Sequence, residues 1–80
     1  MDEQRLYALD LAIQRHPEAP VNYLLRGEFW MEAGKTDLAE QDLMTARALA
    51  LEALEDADWG YIYQSYIDRA ETLLQRLNKT

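Results

Sequence analysis

Residues 23–46 read YLLRGEFWMEAGKTDLAEQDLMTA, and this stretch decides the fold. Its apolar side chains recur every three or four residues, which is the spacing of an amphipathic helix rather than of a strand. Gly34 divides the stretch and is the residue type most often found just after a helix. Asp37 comes early in the next periodic segment, where a negative charge suits the helix dipole. The stretch therefore predicts two helices joined by a short turn.

Helical spacing continues on both sides of this stretch. Pro17 ends the first helix and Pro20 begins the second, because proline is tolerated only in the first turn of a helix. Asp2 is suited to cap the first helix. A continuous apolar stripe from Ile62 to Leu77 predicts a long last helix. We predict an all-α fold in a single domain over residues 1–80, with antiparallel neighbouring helices at about 3–15, 20–33, 37–55 and 59–78.

The central stretch also carries an internal repeat. Its signature is an aromatic residue, a glycine and a second aromatic residue, followed by small and large apolar residues, namely Tyr23, Gly27, Trp30, Gly34, Ala39, Leu43 and Ala46. Moving back by about 34 positions, the length of one tetratricopeptide unit, aligns Leu43 with Leu9. The segment from Trp59 to Tyr66 restates the aromatic signature 36 positions after Tyr23. The pattern resembles the tetratricopeptide repeat family, with about one full repeat and flanking half-repeats.

The resemblance implies an antiparallel four-helix array, a fragment of a right-handed α-α superhelix in which the last helix is a long cap. Gly27 would let the two helices of the complete pair approach closely, and Leu43 would be the large side chain in that contact. Two departures from the family pattern are Arg26, where leucine is usual, and Tyr63, where glycine is usual. The alternative is a generic four-helix bundle with another function.

In tetratricopeptide proteins the first helix of each pair lines a concave groove. The matching residues here form the predicted groove: Val21, Leu24, Glu28, Met31 and Gln64. The resemblance implies a non-catalytic module that binds a protein or peptide segment in this groove. Leu24 and Glu28 replace the residues with which some relatives grip a C-terminal carboxylate, so an apolar segment flanked by Lys or Arg would suit the groove better. The alternative is that Leu24 and Met31 belong to the core.

A second candidate surface lies on the first helix, whose partner in a complete repeat is missing. Tyr7 and Leu11 form an apolar stripe without obvious cover, and such stripes often contact another chain. Tyr61 falls off the main apolar stripe of the last helix and is the best candidate for an exposed aromatic contact. These residues predict an alternative function, a structural subunit that forms homo-oligomers or docks on a larger assembly.

The charge of the chain narrows the range of partners. The net charge is −7, and residues 35–58 carry seven acids and two bases. Such a chain repels phosphate backbones and anionic lipid surfaces, so neither nucleic acid nor a membrane is expected as a partner. The chain has no cysteine, which suits a reducing compartment, and no secretion signal, and we expect a cytoplasmic protein.

The sequence offers little that could carry chemistry. His16, the one histidine, lies at a helix end, where a cation is favourable without being a ligand or a base. No nucleophile–base pair is evident. A calcium loop starting at Asp56 would need a glutamate at its twelfth position, which is Ile67. We therefore expect no enzyme activity, no metal and no cofactor.

Overall fold

The structure is a computed structural model that describes residues 2–56, 58 and 60–79. These residues form four α-helices and no strand: α1 (Glu3–Arg15), α2 (Pro20–Glu32), α3 (Thr36–Asp56) and α4 (Gly60–Asn78). The prediction of an all-α fold is confirmed. Trp59, the predicted first residue of α4 and a member of the repeat signature, lies outside the described residues.

Local residues explain the helix ends. The Asp2 side chain accepts a hydrogen bond from the backbone N–H of Arg5 at 3.0 Å, so it caps α1. Pro20 occupies the first turn of α2. Gly34 follows α2 with a φ of 75°, a left-handed conformation that glycine adopts without steric strain. Helix α2 ends at Glu32, one residue earlier than predicted, and α3 begins at Thr36, one residue earlier than predicted.

Helix α2 is the centre of the arrangement. It packs against α1, α3 and α4, and α3 also packs against α4. Among the described residues, α1 packs against α2 alone and makes no contact with α4. The Cα atoms extend over 37 × 32 × 14 Å, so the molecule is a flat slab about two helices thick. The four helices therefore form an open series rather than a bundle in which the first helix closes against the last.

The tightest contact in the core joins α2 to α3 at Gly27. A Cβ atom built on Gly27 would lie 2.8 Å from Cδ2 and 2.9 Å from Cγ of Leu43. Leu43 is fully buried, as are the small side chains that precede and follow it on the same face of α3, Ala39 and Ala46. Glycine at position 27 is therefore required by the close approach of α3.

The core extends from this contact into α4. One cluster of buried side chains contains Leu24 of α2, Leu43 and Ala46 of α3, and Ala70 and Leu73 of α4. Partly buried side chains pack around the cluster: Tyr23, Met31, Tyr66, Leu74 and Leu77. The apolar stripe of α4 is thus covered by α2 and α3 together.

A charged network ties α1 to this core. Arg26 donates to both carboxylate oxygens of Asp42, at 2.7 and 2.8 Å, and to Asp10 of α1 at 3.0 Å. Asp42 is the one buried charged residue of the described chain. The hydrogen bonds from Arg26 to Asp42 raise the pKa of the guanidinium above its ordinary value, because the carboxylate stabilises the charged form, while burial opposes the rise. The arginine that departs from the repeat pattern therefore links three helices.

The rest of α1 is only lightly buried. Leu9 is its single buried residue among those described. Arg5 pairs with Glu32 at 3.1 Å and lies over the ring of Phe29, 5.7 Å from its centroid. Within the described part of the chain, no helix is long and apolar enough to cross a membrane.

Candidate functional site

The predicted groove is largely filled by the chain itself. Leu24 is 5% exposed and belongs to the core cluster, and Met31 packs against the same cluster. Glu28 accepts hydrogen bonds from Arg69 of α4 at 3.2 and 3.3 Å. Leu24 therefore lies in the core and Met31 is partly buried beside it, while binding of a partner by the predicted groove stays a prediction.

The physical reason is the apolar stripe of α4. That stripe needs cover, and Leu24 of α2 supplies part of it by joining Ala70 and Leu73 in one cluster. The Glu28–Arg69 pair closes the surface above this contact. Gln64, the predicted groove residue on α4, is exposed and donates to Asp68 of its own helix at 2.9 Å. Val21, another of the predicted groove residues, lines an open cavity.

That cavity, the end pocket, lies where the α1–α2 connection meets the last turns of α3 and the first turns of α4. Its volume is about 510 Å³. Its apolar wall is formed by Val21 of α2, Leu49 and Ala53 of α3, and Ile62 of α4. Tyr63 and Tyr66 complete the wall, with their rings edge to face and their centroids 6.2 Å apart. Helix packing alone therefore leaves an apolar hollow at one end of the slab.

Carboxylates surround this hollow. Glu18 lies in the α1–α2 connection, and Glu52 and Asp56 lie in the last turns of α3. All three are exposed, and no base stands among the described residues that line the pocket. The end pocket thus combines an apolar wall with negative charge.

A second cleft, between α3 and α4, is smaller and carries charges of both signs. It has a volume of about 340 Å³ and includes Met44 and Leu74. Its charged residues Arg47 and Glu71 approach each other to 3.8 Å. Because this cleft has an arginine beside its two carboxylates, Glu40 and Glu71, it offers less net negative charge to a cation than the end pocket does.

The remaining candidate residues are spread over other surfaces. Tyr7 is 69% exposed, and Leu11, on the same helix, is partly buried. Tyr61 is 67% exposed and does not line the end pocket. The structure therefore does not bring Tyr61 into the site, and a contact with a partner through Tyr7 and Leu11 stays a prediction.

The aromatic residues of the repeat signature have structural contacts. The Tyr23 hydroxyl donates to the backbone carbonyl of Pro17 at 2.9 Å, which fastens α2 to the preceding connection. Trp30 meets the ring of Phe29 edge to face at 5.3 Å. Tyr23 and Tyr66 both pack against the core cluster. These side chains shape the scaffold around the end pocket, and Tyr66 also lines it.

The end pocket is lined by carboxylates, tyrosines and aliphatic side chains. Within the described residues, no group of three or more His, Asp or Glu side chains is arranged to hold a metal ion. His16 is exposed and outside the residues that line the end pocket. The arrangement can bind an apolar group beside a positive charge. Comparison of the chain with protein-family models, with curated proteins and with solved structures finds no match.

Proposed function

We propose that this protein is a tetratricopeptide-like helical array whose function is to bind a segment of another protein in the end pocket. The observation that carries the proposal is the pocket itself, an open hollow of about 510 Å³ with an apolar wall. Small-molecule sites usually bury most of the ligand surface. A hollow as open as this one, with exposed Ile62 on its wall, suits side chains projecting from a larger partner.

Two features of the scaffold support the tetratricopeptide-like part of the proposal. The close contact of Gly27 with Leu43 joins the two positions that the repeat uses for its helix pair. The open order of the helices, with α1 packed on α2 alone among the described elements, is that of a repeat array rather than of a closed bundle. A repeat array presents its surfaces to partners and needs no catalytic centre.

The exposure of Tyr7 favours a second candidate function, a subunit that assembles through α1. An aromatic side chain that is 69% exposed, on a helix with a single buried residue among those described, is a suitable contact for another copy. Self-association of this kind would leave the end pocket free. The two functions are therefore separable by substitutions on different helices.

Selection from a random peptide library displayed on phage tests the proposed function. Ala53→Phe places a large side chain in the end pocket, and Ala48→Phe places the same side chain on an exposed position of α3 outside the pocket. We expect the wild-type chain and Ala48→Phe to bind the selected peptides equally, and Ala53→Phe to bind them about tenfold more weakly or worse, a loss of about 1.4 kcal/mol. Circular dichroism checks that both variants are folded. Equal binding by all three proteins, or no selected peptide, contradicts the proposal.

A further inference from the structure

The three carboxylates at the end pocket differ from the five acids that form ion pairs within the described residues. Asp10, Glu28, Glu32, Asp42 and Glu71 each pair with an arginine. In contrast, Glu18, Glu52 and Asp56 form no ion pair and no side-chain hydrogen bond with any described residue. Several like charges around one cavity repel each other, and a positive charge placed between them relieves that repulsion. The pocket thus has an unmet electrostatic preference for a cation.

The wall of the pocket adds a second preference. The edge-to-face arrangement of Tyr63 and Tyr66 presents aromatic surface to the same hollow as the carboxylates. Aromatic faces attract cations, and arginine in particular stacks on them. Ile62 and Leu49, also on the wall, offer contact to an apolar group. A cation and an apolar side chain next to each other would therefore be accommodated together.

The volume of the hollow sets the size of the occupant. About 510 Å³ lies within the range of roughly 300–1,000 Å³ that is usual for ligand pockets, and it is enough for two large side chains. A second copy of this chain is a poor occupant, because a chain with a net charge of −7 has no excess of positive charge to place among the three carboxylates. A partner with a basic surface is attracted by the same field.

From these observations we propose that the end pocket selects a partner segment in which Arg or Lys stands beside an aromatic or branched aliphatic residue. The cation pairs with Glu18, Glu52 and Asp56, and the neighbouring side chain lies against the aromatic and aliphatic wall. This inference rests on the proposed function and adds to it the chemistry of the partner.

The test uses two triple variants with the same change of net charge. Glu18→Gln/Glu52→Gln/Asp56→Asn neutralises the pocket, and Glu3→Gln/Asp37→Asn/Glu40→Gln neutralises three exposed acids that also lack ion pairs but lie outside it. Both variants and the wild-type chain are used in the same selection from the random peptide library. The selected peptides are then titrated by fluorescence anisotropy at low and high salt.

We expect Arg or Lys beside an apolar residue to be enriched on the wild-type chain and on the control variant, and the enrichment to be lost on the pocket variant. Since one exposed ion pair contributes a factor of roughly 1.5–5, three together predict a loss of affinity of about tenfold. High salt should weaken wild-type binding more than binding to the pocket variant, because salt screens exposed charges.

Different results identify which proposal fails. If the selected peptides bind the pocket but show no excess of Arg or Lys, or if both triple variants lose the same affinity, the inference is wrong and the proposed function stands. If no peptide is selected, both are wrong. If light scattering shows a wild-type dimer that only the pocket variant disrupts, a second copy occupies the pocket and the inference is overturned.

Discussion

Substitution of Gly27 by alanine inserts a methyl group into the contact between α2 and α3. That methyl carbon would lie 2.8 Å from Cδ2 of Leu43 and 2.9 Å from its Cγ, well inside van der Waals contact. Leu43 is 0% exposed, as are Ala39 and Ala46 on the same face of α3, so its side chain cannot turn out into solvent to avoid the methyl group. Overpacking of this kind costs about 1–3 kcal/mol, and we place this contact in the upper half of that range.

The higher helix propensity of alanine partly offsets this loss of stability, because alanine is about 1 kcal/mol more favourable than glycine within a helix. The net expectation is a decrease of about 1–2 kcal/mol in the free energy of unfolding. For a domain of this size, that corresponds to a fall in Tm of roughly 5–15 °C. Urea denaturation followed by circular dichroism at 222 nm measures the change, and an unaltered slope with denaturant shows that unfolding remains two-state.

The control experiment shortens the Leu43 side chain and then repeats the substitution at position 27. In a Leu43→Ala background the atoms that clash with position 27 are gone, so Gly27→Ala should now stabilise the protein by up to about 1 kcal/mol. A stabilising osmolyte is added to both backgrounds, since Leu43→Ala alone costs about 2–5 kcal/mol. The expected coupling between the two positions is about 2–3 kcal/mol. If Gly27→Ala stabilises the wild-type chain, or has the same effect in both backgrounds, the close contact is not the reason for glycine.

Three further predictions concern the charged network, the α2–α3 turn and the surface of α1. Arg26→Met leaves Asp42 buried without its partner and should lower the free energy of unfolding by about 3 kcal/mol. This value is the lower end for a buried ion pair, because the arginine side chain is 23% exposed. In urea denaturation, the double variant Arg26→Met/Asp42→Leu should recover most of the lost stability. Gly34→Ala should lower the free energy of unfolding by about 1 kcal/mol. The left-handed backbone is the only cause, because a Cβ atom at position 34 would meet nothing within 4 Å. Gly34→Asn should lower the free energy of unfolding by less, because asparagine tolerates this backbone conformation better. If α1 mediates self-association, Tyr7→Ser/Leu11→Ser should convert a dimer to a monomer in light scattering, with little change in the free energy of unfolding. An unchanged solution mass would contradict self-association through α1.

The helices were predictable because their limits are local. Proline at 20 and glycine at 34 act through backbone geometry that does not depend on the rest of the chain, and Asp2 caps α1 through a bond to a residue three positions away. The contact of Gly27 with Leu43 was also foreseeable, because the spacing of the repeat signature matches a known helix pair.

The contacts between distant helices were not predictable. The apolar stripe of α4 shows that one face is buried but not that Leu24 of α2 would help to cover it, and this is why most of the predicted groove is filled. Arg26 was an unexplained departure in the sequence, since its partners Asp10 and Asp42 are each 16 residues away along the chain. Partners of this kind depend on the tertiary arrangement of the helices.

The end pocket could not be predicted from the sequence for the same reason. Its carboxylates come from the α1–α2 connection and from the end of α3, and only the packing of three helices brings them around one hollow. Glu52 and Asp56 are exposed near the end of α3, and their positions in the sequence do not show that they face a pocket. The helical spacing of apolar residues also does not predict that Glu18, the third carboxylate, and the two tyrosines of the wall line the same pocket.

The measurement that tests the central claim most directly is a titration of the ¹⁵N-labelled protein with a selected peptide, followed by amide chemical shifts. We predict that the largest changes map to Val21, Ala53 and Tyr63, which line the end pocket on three different helices, and that Met44, in the second cleft between α3 and α4, is unaffected. Changes confined to the face of α1 around Tyr7, or spread evenly over the four helices, would contradict binding in the end pocket.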